Sequence, residues 1–183
     1  MRSHTTMMMH CLEAGGMNPL WDSERDDWAK GNEVEINPAS ELREITNATF
    51  ESFWQNPEQY DGRLIKVITK YGYLRLPSWQ YRVLLMIRDP EEIRQSFFRI
   101  FGKPLMFTGD KDVPLTNELY YHIINGVMSD LTEQNIPFIP LQSKLVLERP
   151  QGTFRYLKQQ GWPIDPDKAA AMVRPELRHI AVN

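Results

Sequence analysis

Arg2, Ser3, His4, Thr5 and Thr6 bring hydroxyls, an imidazole and a guanidinium into five consecutive residues. At the start of a helix the first backbone N–H groups lack intrahelical partners, so these residues would form a cradle for an anion. The plainer reading is a polar chain end with a Ser or Thr helix cap. Arg88 and Ser96, eight residues apart, are a second candidate pair. A guanidinium fork suits a phosphate, and a serine hydroxyl can donate beside it. Each has an ordinary alternative. Arg88 can pair with Glu91 or Glu92, a contact worth little at a surface. Ser96 can be a solvated residue between Ile93 and Phe97.

A transfer to a hydroxyl or amine needs a general base. The candidates are His10, His122, Glu13, Glu24, Asp26 and Asp27, and the sequence does not choose among them. Cys11 is the single cysteine, which rules out an intrachain disulfide and fits a small core residue. The four histidines are scattered, so there is no zinc spacing and no metal is expected. A net charge of -3 gives no overall basic character, and no nucleic-acid partner is expected. No apolar run reaches the roughly 20 residues needed to span a bilayer. Met7-Met8-Met9 is too short for a signal-peptide core, so no membrane partner is expected and the cytoplasm is the expected location.

These residues must be positioned by ordered elements. With 183 residues and an apolar fraction of 42%, the chain is long enough for one domain with a core. The first helix should start between Ser3 and Thr5, bury Met8, Cys11 and Leu12, and stop at Gly15-Gly16. Residues 17–40 read as a long polar loop or lid, and 38–53 as helical with Leu42, Ile45, Thr49 and Phe53 on one side. Leu64–Ile68 and Tyr81–Ile87 read as buried parallel strands. Asp89 should cap the next helix, with Pro90 in its first turn, Ile93, Phe97, Ile100 and Phe101 as its apolar stripe, and Gly102 at its end. A helix over 115–134 should bury Leu119, Ile123, Val127 and Leu131. Ile136–Leu141 reads as an edge strand at best, because of Pro137 and Pro140. Helices should follow at 150–160, with Phe154 and Leu157 inward, and at 165–173. This alternation is α/β order, and it puts Arg88 at the carboxyl end of a strand, where such sheets bind ligands.

Arg-Ser-x-Thr-Thr opening a helix, then Arg-Asp-Pro-x-x-Ile-x-x-Ser after a buried strand, resembles the PAPS-dependent sulfotransferases. Met7–Met17, Tyr156–Trp162 and Pro175–His179 are similar to stretches of bacterial and phage members, so the resemblance spans nearly the whole chain. It implies a single P-loop NTPase-like three-layer α/β domain over 1–183, with a parallel sheet flanked by helices. It implies PAPS, 3′-phosphoadenosine 5′-phosphosulfate, as co-substrate, and no metal. Arg2, Ser3, His4, Thr5 and Thr6 would then form the phosphosulfate loop, with Arg2 stabilising charge during transfer. Arg88 and Ser96 would hold the 3′-phosphate. A sulfuryl group would pass to a hydroxyl or amine of an acceptor that the sequence does not name.

The sequence departs from that pattern in two places. Met1 stands where the family has the Pro that ends a strand, so the first strand is expected to be missing. A strand from a second copy would then complete the sheet, which makes a homo-oligomer an expectation. His4 stands where the family has Gly, which permits positive φ and close approach of the backbone to phosphate; a histidine permits neither easily. These departures motivate an alternative: a catalytically inactive nucleotide-binding or interaction protein on the same fold. A nucleotide kinase fits less well, because no Gly-Lys-Ser/Thr follows the loop.

Overall fold

The computed structural model describes residues 4–20, 47–67, 74–102, 104–107 and 113–173. In chain order the elements are α1 (Thr5–Ala14), β1 (Asn18–Leu20), α2 (Asn47–Gln55), a 3₁₀ turn (Pro57–Tyr60) and β2 (Arg63–Ile65). Next come β3 (Val83–Ile87), α3 (Pro90–Phe101), β4 (Met106–Phe107), β5 (Val113–Pro114) and α4 (Asn117–Glu133). The last four are β6 (Phe138–Gln142), α5 (Ser143–Glu148), α6 (Pro150–Gln159) and α7 (Pro166–Ala171). The architecture is mixed helix and strand with small parallel sheets. It divides into two compact units, one holding the described residues of 74–142 and the other those of 4–67 and 143–173.

In the second of these units α1 buries Met8, Met9, Cys11 and Leu12. Gly15 caps α1, and a Cβ there would lie 3.2 Å from Ile164 Cβ and 3.3 Å from Ala169 Cβ. Glycine thus lets α1 approach α7 closely, and the Gly15 carbonyl accepts the Asp165 N–H at 2.8 Å. Phe154 and Leu157 of α6 are fully buried, with Trp162 and Ile164 close behind. α7 starts at Asp165, whose carboxylate accepts the N–H groups of Asp167 and Lys168. β1 and β2 pair in parallel, Asn18 opposite Arg63 through Leu20 opposite Ile65. α2 buries Phe53 against Tyr60, whose hydroxyl donates to Ser52 Oγ at 2.7 Å.

In the other unit β3 and β6 pair in parallel from Val83 opposite Phe138 to Ile87 opposite Gln142. Leu85, Ile93, Leu115, Tyr120, Ile124, Val127 and Leu131 form the core. Of the four residues expected inward on α4, Val127 and Leu131 are in that core, Leu119 packs against it, and Ile123 is buried as well. Asp89 caps α3 by accepting from the N–H groups of Glu91 and Glu92. Gly102 ends that helix at φ 63, a left-handed conformation that glycine adopts without a Cβ penalty. The segment Leu74–Leu76 is fastened to α4 by side chains: Asp130 and Gln134 accept the N–H groups of Leu74 and Leu76, and Gln134 donates to the Leu74 carbonyl.

Three expectations are corrected. The loop read over 17–40 contains β1, a Pro-bearing strand of three residues with no apolar run of its own. The strand read over Leu64–Ile68 is ordered as Arg63–Ile65; Ile68 lies outside the described residues, as do 38–46 of the helix read over 38–53. The strands expected to lie in one sheet do not pair: β2 is bonded to β1 and β3 to β6, each in a two-stranded sheet among the described residues. β6 does carry Pro140 with a single bonded neighbour there, as expected of an edge.

Candidate functional site

Arg88 follows the last residue of β3 and precedes the cap of α3. Its side chain is 5% exposed, and its Nε donates to Glu92 Oε2 at 3.0 Å. Its backbone N–H donates to the Tyr120 hydroxyl, also at 3.0 Å. Burial pushes the Tyr120 phenol above its ordinary pKa, and the Arg88 N–H pulls against that shift. Arg88 lies just outside α3, whose cap Asp89 has non-helical backbone at φ -55, ψ 125, and its side chain reaches into the first turn. There Glu92, not Glu91, is its partner. Glu91 is engaged by Arg94 and Gln95, in that order of effect, and both hold its carboxyl below the usual range. Ser96 is half-buried on α3.

At the other candidate stretch, Arg2 and Ser3 lie outside the described residues. His4 sits at φ 60, ψ 16, the left-handed conformation that a glycine would favour there. A histidine does not take this conformation easily, and here it does so at a cost. Left-handed backbone costs an ordinary residue about 1–2 kcal/mol, and histidine is enriched among the exceptions. His4 caps α1 without a side-chain hydrogen bond to it, and the His4 carbonyl accepts the Met8 N–H. Thr5 and Thr6 occupy the first turn of α1. Thr6 Oγ1 accepts from Lys66 Nζ at 3.2 Å.

Lys66 is the residue that sequence reasoning missed. It is 7% exposed, one residue past β2. The signal was a lysine inside the apolar run Leu64–Ile68, where desolvating an ammonium is expensive unless it is well partnered. A cation held at the first turn of a helix sits where the helix dipole already favours an anion. Thr5, Thr6 and Lys66 belong to one unit, and Arg88, Ser96, Glu92 and Tyr120 to the other. The structure thus joins Thr6 to Lys66 and Arg88 to Glu92 and Tyr120.

Of the base candidates, His10 is half-buried with Nδ1 3.9 Å from Glu13 Oε2, and His122 is exposed on α4. Glu24, Asp26 and Asp27 lie outside the described residues. An open groove of about 500 Å³ is lined by Arg94, Leu115, Thr116, Asn117 and Glu118, none of which is a candidate site residue. Among the described residues no group of three His, Cys, Asp or Glu is placed to hold a metal ion, and no helix is long and apolar enough to cross a membrane. No protein-family model, curated protein or solved structure matches the chain.

Proposed function

We propose that this chain is a sulfotransferase-like protein of P-loop α/β type, using PAPS as co-substrate. The bond from sulfur to the 5′-phosphate oxygen breaks as a hydroxyl or amine of the acceptor bonds to sulfur. The acceptor loses a proton, and adenosine 3′,5′-bisphosphate leaves. The observation that carries the reading is Arg88: a buried guanidinium at the carboxyl end of a parallel strand, anchored through its backbone, just ahead of the helix whose second turn carries Ser96. Strand ends of this kind are where open α/β sheets take their ligands. Lys66 adds a buried cation beside Thr6, in the turn read as the phosphosulfate loop. In this reading Arg88 and Ser96 bind the 3′-phosphate, while Arg2, Ser3, His4, Thr5 and Thr6 bind the phosphosulfate. The protein's work is positioning and charge stabilisation rather than covalent chemistry.

Calorimetric titration with adenosine 3′,5′-bisphosphate tests the reading. Binding is expected, and Arg88→Ala should weaken it at least about tenfold, the loss of one charge-assisted contact. Absence of binding, or binding indifferent to Arg88→Ala, would sink the nucleotide site. A second reading is binding without catalysis, favoured by the imidazole of His4 in the loop and by the carboxylate already engaged on Arg88. Transfer of labelled sulfate from PAPS to any acceptor in a cell extract decides between them: transfer supports the enzyme, and binding without transfer supports the second reading.

A further inference from the structure

The Arg88–Glu92 pair is anchored at both ends. The Arg88 main chain is tied to the Tyr120 hydroxyl, and the Glu92 N–H to the Asp89 carboxylate at 3.3 Å. The side chains are 5% and 15% exposed, so this is not a solvated surface contact. A pair drawn that far out of water persists only with good geometry, and the 3.0 Å Nε–Oε2 contact supplies it. The carboxylate is itself an anion, and it is held against the guanidinium that is read above as the phosphate grip.

We infer that Glu92 is a built-in counter-anion at this site. It fixes the plane of the Arg88 guanidinium and at the same time lowers its affinity for a phosphate. The inference rests on the nucleotide reading above, and it assigns the regulation of that site to one carboxylate. Two effects oppose each other. Holding Nε orients the fork and spares the ligand that ordering cost. The negative charge repels a phosphate arriving on the same guanidinium; at about 6 Å an effective dielectric of about 20 makes that repulsion worth on the order of a hundredfold in affinity, of which screening at a partly solvated site leaves about tenfold. Glu92→Gln removes the charge and keeps an oxygen that can accept from Nε. Glu92→Asp keeps the charge but, one methylene shorter, loses the Nε contact that orients the fork, while a repulsion that acts over several ångströms changes little. The two substitutions should therefore move affinity in opposite directions.

The experiment titrates wild type, Glu92→Gln, Glu92→Asp and Arg88→Ala with adenosine 3′,5′-bisphosphate, and with adenosine 5′-monophosphate, which lacks the 3′-phosphate. Glu92→Gln should bind the bisphosphate about tenfold tighter and Glu92→Asp about threefold weaker, with the monophosphate unchanged for both. If Glu92→Gln binds the bisphosphate no tighter than wild type, or tightens both nucleotides equally, the inference is overturned. Should Glu92→Gln fail to unfold cooperatively, Glu92→Asp decides alone: weakening confined to the bisphosphate supports the inference, and no change overturns it. If wild type binds neither nucleotide, the nucleotide reading falls and the inference with it. If wild type binds, Arg88→Ala releases the ligand and Glu92→Gln matches wild type, only the inference falls.

Discussion

The backbone N–H of Arg88 is buried at the end of β3 and finds its acceptor 32 residues away, in the Tyr120 hydroxyl. Tyr120→Phe keeps the ring and its packing but removes that acceptor. A buried N–H left without a partner costs about 1–3 kcal/mol, so the urea midpoint should fall accordingly with an unchanged slope. A midpoint equal to wild type would mean that water replaces the phenol. The same scale gives one pH prediction. Arg94, and after it Gln95, hold the Glu91 carboxyl below its ordinary pKa. A carboxyl depressed on folding adds stability above its unfolded pKa and loses it as pH falls through the folded value. Glu91→Gln should therefore flatten the acid limb of the stability curve below the usual carboxylate range. The effect is small, because the group is exposed and screened. An acid limb identical in the two proteins would remove Glu91 from that account. Arg88 was legible in the sequence as a strand-end residue, but its two partners were not equally so. Glu92 was one of two nearby carboxylates, and proximity alone did not choose between it and Glu91. Tyr120 was not, because nothing local says which strand end a helix's tyrosine will meet.

Elements whose instructions are local were read well. Asp89-Pro90-Glu91-Glu92 states a helix start in four residues, and the structure caps α3 there. Asp89→Ala should cost about 1 kcal/mol in chemical denaturation, and Asp89→Asn much less, because asparagine caps as well as aspartate. Equal losses from both would point to charge rather than to the cap. β1 was missed because a strand of three residues is defined by its partner, and that partner, β2, lies beyond α2 in the sequence. The fastening of Leu74–Leu76 was equally hidden. Asp130 and Gln134 are an ordinary polar i,i+4 pair on α4, yet they supply the acceptors that a neighbouring strand would otherwise provide. Gln134→Ala removes the acceptor of the Leu76 N–H and the donor to the Leu74 carbonyl. Faster hydrogen exchange at the Leu76 amide is expected, with little change in global stability, since local openings draw on less than the full unfolding free energy. Unaltered exchange at Leu76 would show that the apolar contacts of Leu74 and Leu76 alone hold the segment.

At the scale of the whole molecule, the sequence specified helices without specifying which of them meet. α1, α6 and α7 were each readable from caps and apolar spacing, but an apolar face does not name the face that will cover it. In the structure α1 packs against α7, so residues from both ends of the described chain build one unit around Cys11, Leu12, Phe154 and Leu157. The cysteine offers a direct measurement of how that unit opens. Cys11 is fully buried, and burial pushes its thiol up to about 12. Since the thiolate is the reactive form, the native protein should resist a disulfide-exchange reagent at neutral pH. Labelling should then proceed through openings of the unit. Leu157→Ala, in a helix that carries no candidate site residue, should destabilise the unit by about 2–5 kcal/mol through lost contacts and a residual cavity. Where opening and closing are faster than labelling, the rate should rise with the same free energy, on the order of 30-fold or more. Rapid labelling of the wild type, or a rate unmoved by Leu157→Ala while the denaturation midpoint falls, would show that Cys11 is reached by a local fraying of α1 instead of by opening of the core it shares with Leu157.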